Sequence, residues 1–187
     1  MGIENINMDS PYISLDEAIA GKDIPDDIHR TLSLFTVPYV SFDDIEAVKY
    51  GQLVMHSALA EEVRAIFEEL VRLRFPIARI IPVRFYDWDD DASMEANNTS
   101  AFNYRKKPEK DELSNHSYGW ALDINPRLNP FISRSNTVYP SGAVYDLTRP
   151  GTITPDGPVV HLFKSRGWIW GGDWIEVKDY QHFEKPM

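Results

Sequence analysis

The sequence predicts an α+β fold, because one strongly amphipathic helix is followed by several short stretches that alternate as strands do. Ser57 to Arg74 places apolar side chains at helical spacing, and Pro76 ends the pattern. Trp120 to Asn125 puts Ala121, Asp123 and Asn125 on one face of a strand and three apolar side chains on the other. With 187 residues, one domain spanning 1–187 is expected, with residues 1–45 as an N-terminal extension packed on it.

The first half of the chain adds weaker elements to this framework. Leu15 to Ala20 is a candidate short helix ended by Gly21, and Phe35 to Phe42 is a candidate extended segment. Ile77 to Tyr86 is predicted to be a strand in which Pro82 marks an edge or a bulge.

An acidic run and a second candidate strand follow. Asp87 to Asp91 has the D-x-D-x-D spacing of a calcium loop but lacks the glycine and glutamate that such a loop requires, so a solvated acidic loop is favoured. Thr99 to Arg105 is predicted to be a strand with Ser100 on one face and Asn103 and Arg105 on the other. An arginine that closes a buried strand needs a partner, either an ion pair or a substrate.

The C-terminal part combines a long irregular stretch with one helix and one strand. Pro126 to Pro158 is rich in Pro, Gly, Asn, Ser and Thr, and it is either a wall of a binding cleft or a simple connector. Val159 to Arg166 is predicted to be a short helix ended by Gly167. Asp179 to Phe183 is predicted to be a strand.

Composition excludes several classes of protein. The formal net charge of -10 argues against nucleic acid and against anionic membrane surfaces as partners. No apolar run reaches the length of a membrane-spanning helix, so no membrane insertion is expected. The chain has no cysteine, so a zinc site would have to use His, Asp or Glu. A monomer is expected.

One pattern predicts a metal centre. Ser114 to Asp123 has the form S-x-H-x-x-G-x-A-x-D, with His116 and Asp123 seven positions apart, and His182 stands three residues after Asp179 near the C-terminus. Two imidazoles, one carboxylate and an open fourth position form a catalytic zinc site. We therefore expect one zinc ion per chain, held by His116, Asp123 and His182. His56 is expected to cap a helix and His161 to be structural.

This pattern resembles the VanY-type zinc peptidases, which are D-alanyl-D-alanine carboxypeptidases and L-alanyl-D-glutamate endopeptidases of bacterial cell-wall peptides. The resemblance runs from about Tyr50 to the C-terminus and is strongest at 97–105, 114–125 and 167–183. It implies a hedgehog/DD-peptidase-like fold with a small antiparallel sheet and flanking helices. It also implies a peptidoglycan stem peptide as substrate and a location in the periplasm, the cell envelope or outside the cell. Met1 to Arg30 shows no signal peptide, so a mature chain is then expected.

The resemblance also implies roles for individual residues. Asp179 would be the general acid-base, although many relatives carry glutamate there, and Arg105 would stabilise the oxyanion. Ser114 and Asn115 would orient His116. Ser100, Asn103 and Trp174 complete the expected set of supporting or substrate-binding residues.

Two other classes of function remain open at this point. A non-catalytic zinc-containing binding module of the same fold would not need Asp179 and Arg105. A glycosidase using Asp173 and Asp179 as its carboxylate pair would not need His116 and His182. Both peptide bonds, D-Ala-D-Ala and L-Ala-D-Glu, stay possible for the peptidase.

Overall fold

The computed structural model describes residues 8, 10–107 and 110–187, and it shows an α+β architecture with small sheets and few helices. The α-helices of this part of the chain are α1 (Leu15–Ile19), α2 (Asp26–His29), α3 (Ala60–Arg72), α4 (Asp90–Glu95) and α5 (Pro158–Lys164). The strands are β1 (Leu32–Val40), β2 (Val48–His56), β3 (Arg79–Ile80), β4 (Asn98–Thr99), β5 (Ala121–Asp123), β6 (Phe131–Ile132), β7 (Val138–Tyr139), β8 (Ile169–Trp170), β9 (Lys178–Asp179) and β10 (His182–Glu184).

Four small sheets carry these strands. β1 and β2 form an antiparallel hairpin with nine residue pairs, and β3 and β4 form a short parallel pair. The other two sheets are three-stranded and antiparallel, in the orders β5-β10-β8 and β7-β6-β9. The predicted α+β class with small antiparallel sheets is confirmed.

The main core lies between the β1–β2 hairpin, α3, α5 and the C-terminal strands. Helix α3 buries Val63, Ile66, Phe67 and Leu70 on one stripe, as its periodicity predicts. A 3-10 helix at Ser57–Leu59 precedes it, so the predicted helical segment is present as two pieces.

The N-terminal segment packs through a second, smaller cluster. Ala18, Ile19 and Ile28 of α1 and α2 lie with Val54 and Phe102 in this cluster. Residues 1–7 and 9 of the expected extension lie outside the described residues. The single-domain organisation stays a prediction.

Several local predictions are wrong. No element was predicted from the sequence for 48–56, where strand β2 pairs with β1 and has its second half buried. The predicted strand from Ile77 to Tyr86 shrinks to β3, and a 3-10 helix begins at Val83 after Pro82, which has no N–H for a ladder.

Two further segments differ from their predictions. Only the end of the acidic run is helical: α4 begins at Asp90, and the Asp89 carboxylate caps it by accepting from Ala92 N at 3.1 Å. The predicted strand from Thr99 to Arg105 ends at Thr99, although Ser100 still forms an antiparallel bridge with Asp123. No helix among the described residues is long and apolar enough to cross a membrane.

Candidate metal centre and active site

Three buried side chains bring metal-binding atoms together. Nε2 of His116 lies 3.2 Å from Nδ1 of His182 and 3.2 Å from Oδ2 of Asp123, and Nδ1 of His182 lies 2.9 Å from Oδ1 of Asp123. In four-coordinate zinc sites with bonds of about 2.0–2.1 Å, tetrahedral geometry separates neighbouring ligand atoms by about 3.3 Å. The donor set and its spacing therefore fit a zinc ion.

The turn that carries His116 is built by its flanking residues. His116 lies in a 3-10 helix, Asn115–Tyr118, whose N-terminus is capped by Ser114 through a 3.3 Å hydrogen bond from the His116 N–H. Gly119 ends this helix in the left-handed region, at φ 70, where a Cβ would come within 2.4 Å of the His56 nitrogen. Ser114 thus acts on the backbone of His116 and not on its ring.

The other two ligands face each other across one sheet. Asp123 on β5 and His182 on β10 are direct antiparallel partners, so their side chains share a face. Ser100 holds the other edge of Asp123 with two backbone hydrogen bonds, of 3.0 and 2.8 Å. The strand geometry, more than side-chain choice, sets the distance between these two ligands.

The second ring nitrogen of each histidine has its own acceptor. Nδ1 of His116 lies 2.5 Å from the Ala101 carbonyl oxygen, which can only accept, so Nδ1 carries the proton and Nε2 is free for a metal. Nε2 of His182 lies 3.1 Å from Oε2 of Glu184, which leaves Nδ1 of His182 for the metal. Sequence reasoning missed Glu184, although its H-x-E spacing from a ligand on a strand was the available signal.

The electrostatics of the site reflect these contacts. Burial acts to raise the pKa of Asp123, but the neighbouring His116 and His182 rings outweigh it and hold that pKa well below its usual range. Burial acts to lower the pKa of His182, but the hydrogen bonds to Asp123 and Glu184 outweigh it and raise that pKa to about 10. A site that stabilises charge in this way is suited to holding a cation.

Asp179 lies beside the ligands with part of its carboxylate unused. Its Oδ1 is buried and has no hydrogen-bond partner among the described residues. Burial raises the pKa of Asp179 to about 7, an effect that the nearby His182 opposes. Gly171 permits this approach, because a Cβ there would lie 2.8 Å from the Asp179 Cβ and 3.2 Å from the His182 Cβ.

Arg105 and Asn103 lie in a cluster next to the His116 turn. Nη2 of Arg105 pairs with Oδ2 of Asp90 at 2.8 Å, and Nδ2 of Asn103 donates to Oδ1 of the same aspartate at 3.1 Å. The Ser117 hydroxyl accepts from Arg105 N at 2.9 Å and donates to the Arg105 carbonyl at 2.6 Å. Because Ser117 directly follows His116, these bonds attach the Arg105 backbone to the turn that carries His116. The ion-pair partner of Arg105 is thus Asp90.

The other residues considered from the sequence differ in whether they lie at the candidate metal centre. The Trp174 ring centroid lies 5.2 Å from that of His182, so Trp174 borders the centre. Asp173 is exposed and pairs with Lys164 at 2.6 Å. His56 caps the 3-10 helix before α3 by accepting from Ala58 N, and His161 is exposed on α5. Neither histidine is among the described residues that converge as possible metal ligands.

The long stretch after β5 reaches the strand of Asp179. Strand β6 pairs with β9 in a register that sets Phe131 opposite Asp179. The Tyr145 ring stacks on Tyr180, with centroids 3.6 Å apart and planes 8° apart. The stretch after β5 therefore contacts β9 through Phe131 and the residue that follows β9 through Tyr145.

Comparison with known protein families finds a match in the C-terminal part of the chain. Residues 108–185 match the model of a family described as D-alanyl-D-alanine carboxypeptidase. The matched segment contains His116, Asp123, Asp179 and His182, and it begins after Arg105. The resemblance predicted from the motifs is confirmed over this C-terminal segment. No solved structure matches the chain, and the hedgehog-like fold stays a prediction.

Proposed function

We propose that this protein is a zinc peptidase that hydrolyses an amide bond in peptidoglycan stem peptides. The observation that carries the proposal is the convergence of His116, Asp123 and His182 inside the matched segment. Beside them, one buried carboxylate oxygen of Asp179 has no hydrogen-bond partner among the described residues. His116 Nε2, His182 Nδ1 and the Asp123 carboxylate would hold one zinc ion.

Asp179 is the proton carrier in this proposal. When bound, zinc would lower the pKa of a water molecule to about 7 and polarise the scissile carbonyl. Asp179 takes a proton from the attacking water and gives it to the leaving amine. Its buried oxygen and a pKa near neutrality suit both steps. Asp173 and Glu176, the alternative candidates for this role, are exposed and form ion pairs with Lys164 and Arg134, respectively.

Arg105 is proposed to stabilise the negative charge on the carbonyl oxygen in the transition state. Asp90 holds one nitrogen of its guanidinium, so the side chain is oriented before substrate arrives. Asn103, Ser100 and Trp174 are proposed to surround the substrate, and the stretch Pro126 to Pro158 is proposed to form one wall of the cleft.

The bond that is cleaved is either D-Ala-D-Ala or L-Ala-D-Glu. Asp179 is one methylene shorter than the glutamate of many VanY-type relatives, a difference associated with the endopeptidases. A stem-peptide substrate places the protein in the periplasm or elsewhere in the cell envelope, or outside the cell.

The test is incubation of the zinc-loaded protein with purified peptidoglycan fragments and mass spectrometry of the products. Asp179→Asn should keep zinc and lose turnover by about a hundred- to ten-thousand-fold, the usual share of general acid-base catalysis. Arg105→Ala should also keep zinc and lose rate. Asp173→Asn is the matched control, because this exposed acid pairs with Lys164, and its turnover should equal that of the unchanged protein.

The second candidate function is a non-catalytic zinc-containing binding module. The ion pair between Arg105 and Asp90 favours it, because a neutralised guanidinium is less available to an oxyanion. Zinc binding without cleavage of any stem peptide would support this module and overturn the peptidase. Normal turnover by Asp179→Asn would move the general base to Asp173 or Glu176.

A further inference from the structure

Glu184 and Asn115 join the two elements that carry the candidate histidine ligands. Oε2 of Glu184 lies 3.1 Å from Nε2 of His182 and accepts a 2.6 Å hydrogen bond from Nδ2 of Asn115. Asn115 precedes His116 in the 3-10 helix, whereas Glu184 follows His182 on β10. One carboxylate oxygen therefore connects the two elements that carry the ligands.

The sheet makes room for this connection. Ala121 is the cross-strand partner of Glu184, just as Asp123 is the partner of His182. Residues two apart on a strand share a face, so the ligand pair and the Ala121–Glu184 pair lie side by side. Because Ala121 is small, the Glu184 side chain can extend over it toward Asn115.

We propose that Glu184 is a positioning residue that fixes the metal-binding tautomer of His182, and that Asn115 holds Glu184 in place. A carboxylate on Nε2 keeps the proton on that nitrogen, so Nδ1, which faces Asp123 and His116, is the nitrogen that would bind the metal. The Asn115 link also prevents the His116 helix from moving relative to β10. The inference rests on the zinc site of the proposed function but not on peptidase activity.

The experiment measures zinc affinity by competition with a chromophoric chelator. Partners of this kind typically contribute about 10- to 100-fold in metal affinity, so Glu184→Ala should weaken zinc binding by that factor. Glu184→Gln should lose less, because its amide oxygen still accepts from Nε2 of His182. Asn115→Ala should lose less than Glu184→Ala, and its effect should vanish when Glu184 is already alanine.

Glu62→Gln is the matched control for strand docking. The Glu62 carboxylate accepts from Lys185, one residue beyond Glu184 on the chain, at 2.8 Å and from Trp168 Nε1 at 2.7 Å. This variant should keep the zinc affinity of the unchanged protein. The absorption spectrum of the cobalt-substituted protein gives a second readout, because it should change in Glu184→Ala and not in Glu62→Gln.

Two results would overturn the inference: unchanged zinc affinity in Glu184→Ala, or an equal loss in Glu62→Gln. A protein that binds zinc with the expected variant series but cleaves no stem peptide would overturn the proposed peptidase and leave the positioning role intact. Failure of the unchanged protein to bind zinc would overturn both.

Discussion

The β1–β2 hairpin with α3 and the segment around the candidate metal centre are stabilised in different ways. In the hairpin, nine consecutive residue pairs supply the hydrogen bonds, and apolar residues such as Phe67 and Leu70 fill the space against the helix. Around the centre, the strands have two or three residues each, and buried polar side chains provide the missing hydrogen bonds.

Asn129 illustrates the second kind of stabilisation. Its side-chain amide, with no exposed surface, donates to the carbonyls of Ile124, Asn125 and Gly151 and accepts from Ile153 N at 2.7 Å. Irregular backbone can be buried only if such partners satisfy it. A region whose irregular backbone is satisfied by buried side chains can present candidate ligands from several loops. Its stability then depends on each buried amide, such as that of Asn129.

The largest expected effect comes from the hairpin region. Phe67→Ala leaves a cavity in the core beneath α3 and should lower the free energy of unfolding by about 3–5 kcal/mol. The zinc affinity of the folded protein should stay the same, because α3 contributes no ligand. Denaturant unfolding and chelator competition on the same variant measure the two quantities. A marked loss of zinc affinity in the folded state would show that the two regions are not independent.

A smaller loss of stability, but a larger effect on the site, is expected from Asn129→Ala. The carbonyls of Asn125 and Gly151 keep other donors, so the substitution chiefly leaves the Ile153 N–H without its partner, which costs about 1–3 kcal/mol. Since Asn129 holds the chain just after β5, hydrogen exchange should increase across 126–158 and the KM for a stem peptide should change. Ser135→Ala, at an exposed position of the same stretch, is the control. Equal hydrogen exchange across 126–158 in Asn129→Ala and Ser135→Ala would show that the Asn129 amide does not stabilise this stretch.

The smallest effect concerns Glu62, which joins the two regions. Its carboxylate on α3 accepts from Trp168 Nε1 at 2.7 Å and from Lys185 Nζ at 2.8 Å. Burial acts to raise its pKa, but these two hydrogen bonds outweigh burial and lower the pKa below 4.5. A lowered pKa in the folded state stabilises the protein above pH 4.5 and loses that contribution as the pH falls further.

Glu62→Gln should therefore cost about 1 kcal/mol of unfolding free energy at pH 7 and less at pH 3, since exposed and half-exposed pairs contribute little. Thermal unfolding of both proteins between pH 3 and pH 7 measures this difference. A difference that is the same at every pH would mean that the charge of Glu62 contributes nothing.

The sequence alone predicted the parts that depend on local spacing. The apolar stripe of α3, the short helix α1 before Gly21, and α5 all follow from contacts within a few residues along the chain. The grouping of His116, Asp123 and His182 was predicted from residue type and a recognised pattern, and these residues do converge in space.

Only the tertiary structure decided the contacts between distant segments. Strand β2 forms because it pairs with β1 over nine residues, although its own apolar and polar residues alternate only weakly. Asp90 reaches Arg105 from a helix that the acidic spacing did not indicate. Glu184 meets Asn115 across 69 positions of sequence, because the antiparallel register of β5 and β10 brings the two ligand elements together. Local pattern specifies which residues can bind a metal, whereas strand register and buried polar contacts decide what orients them.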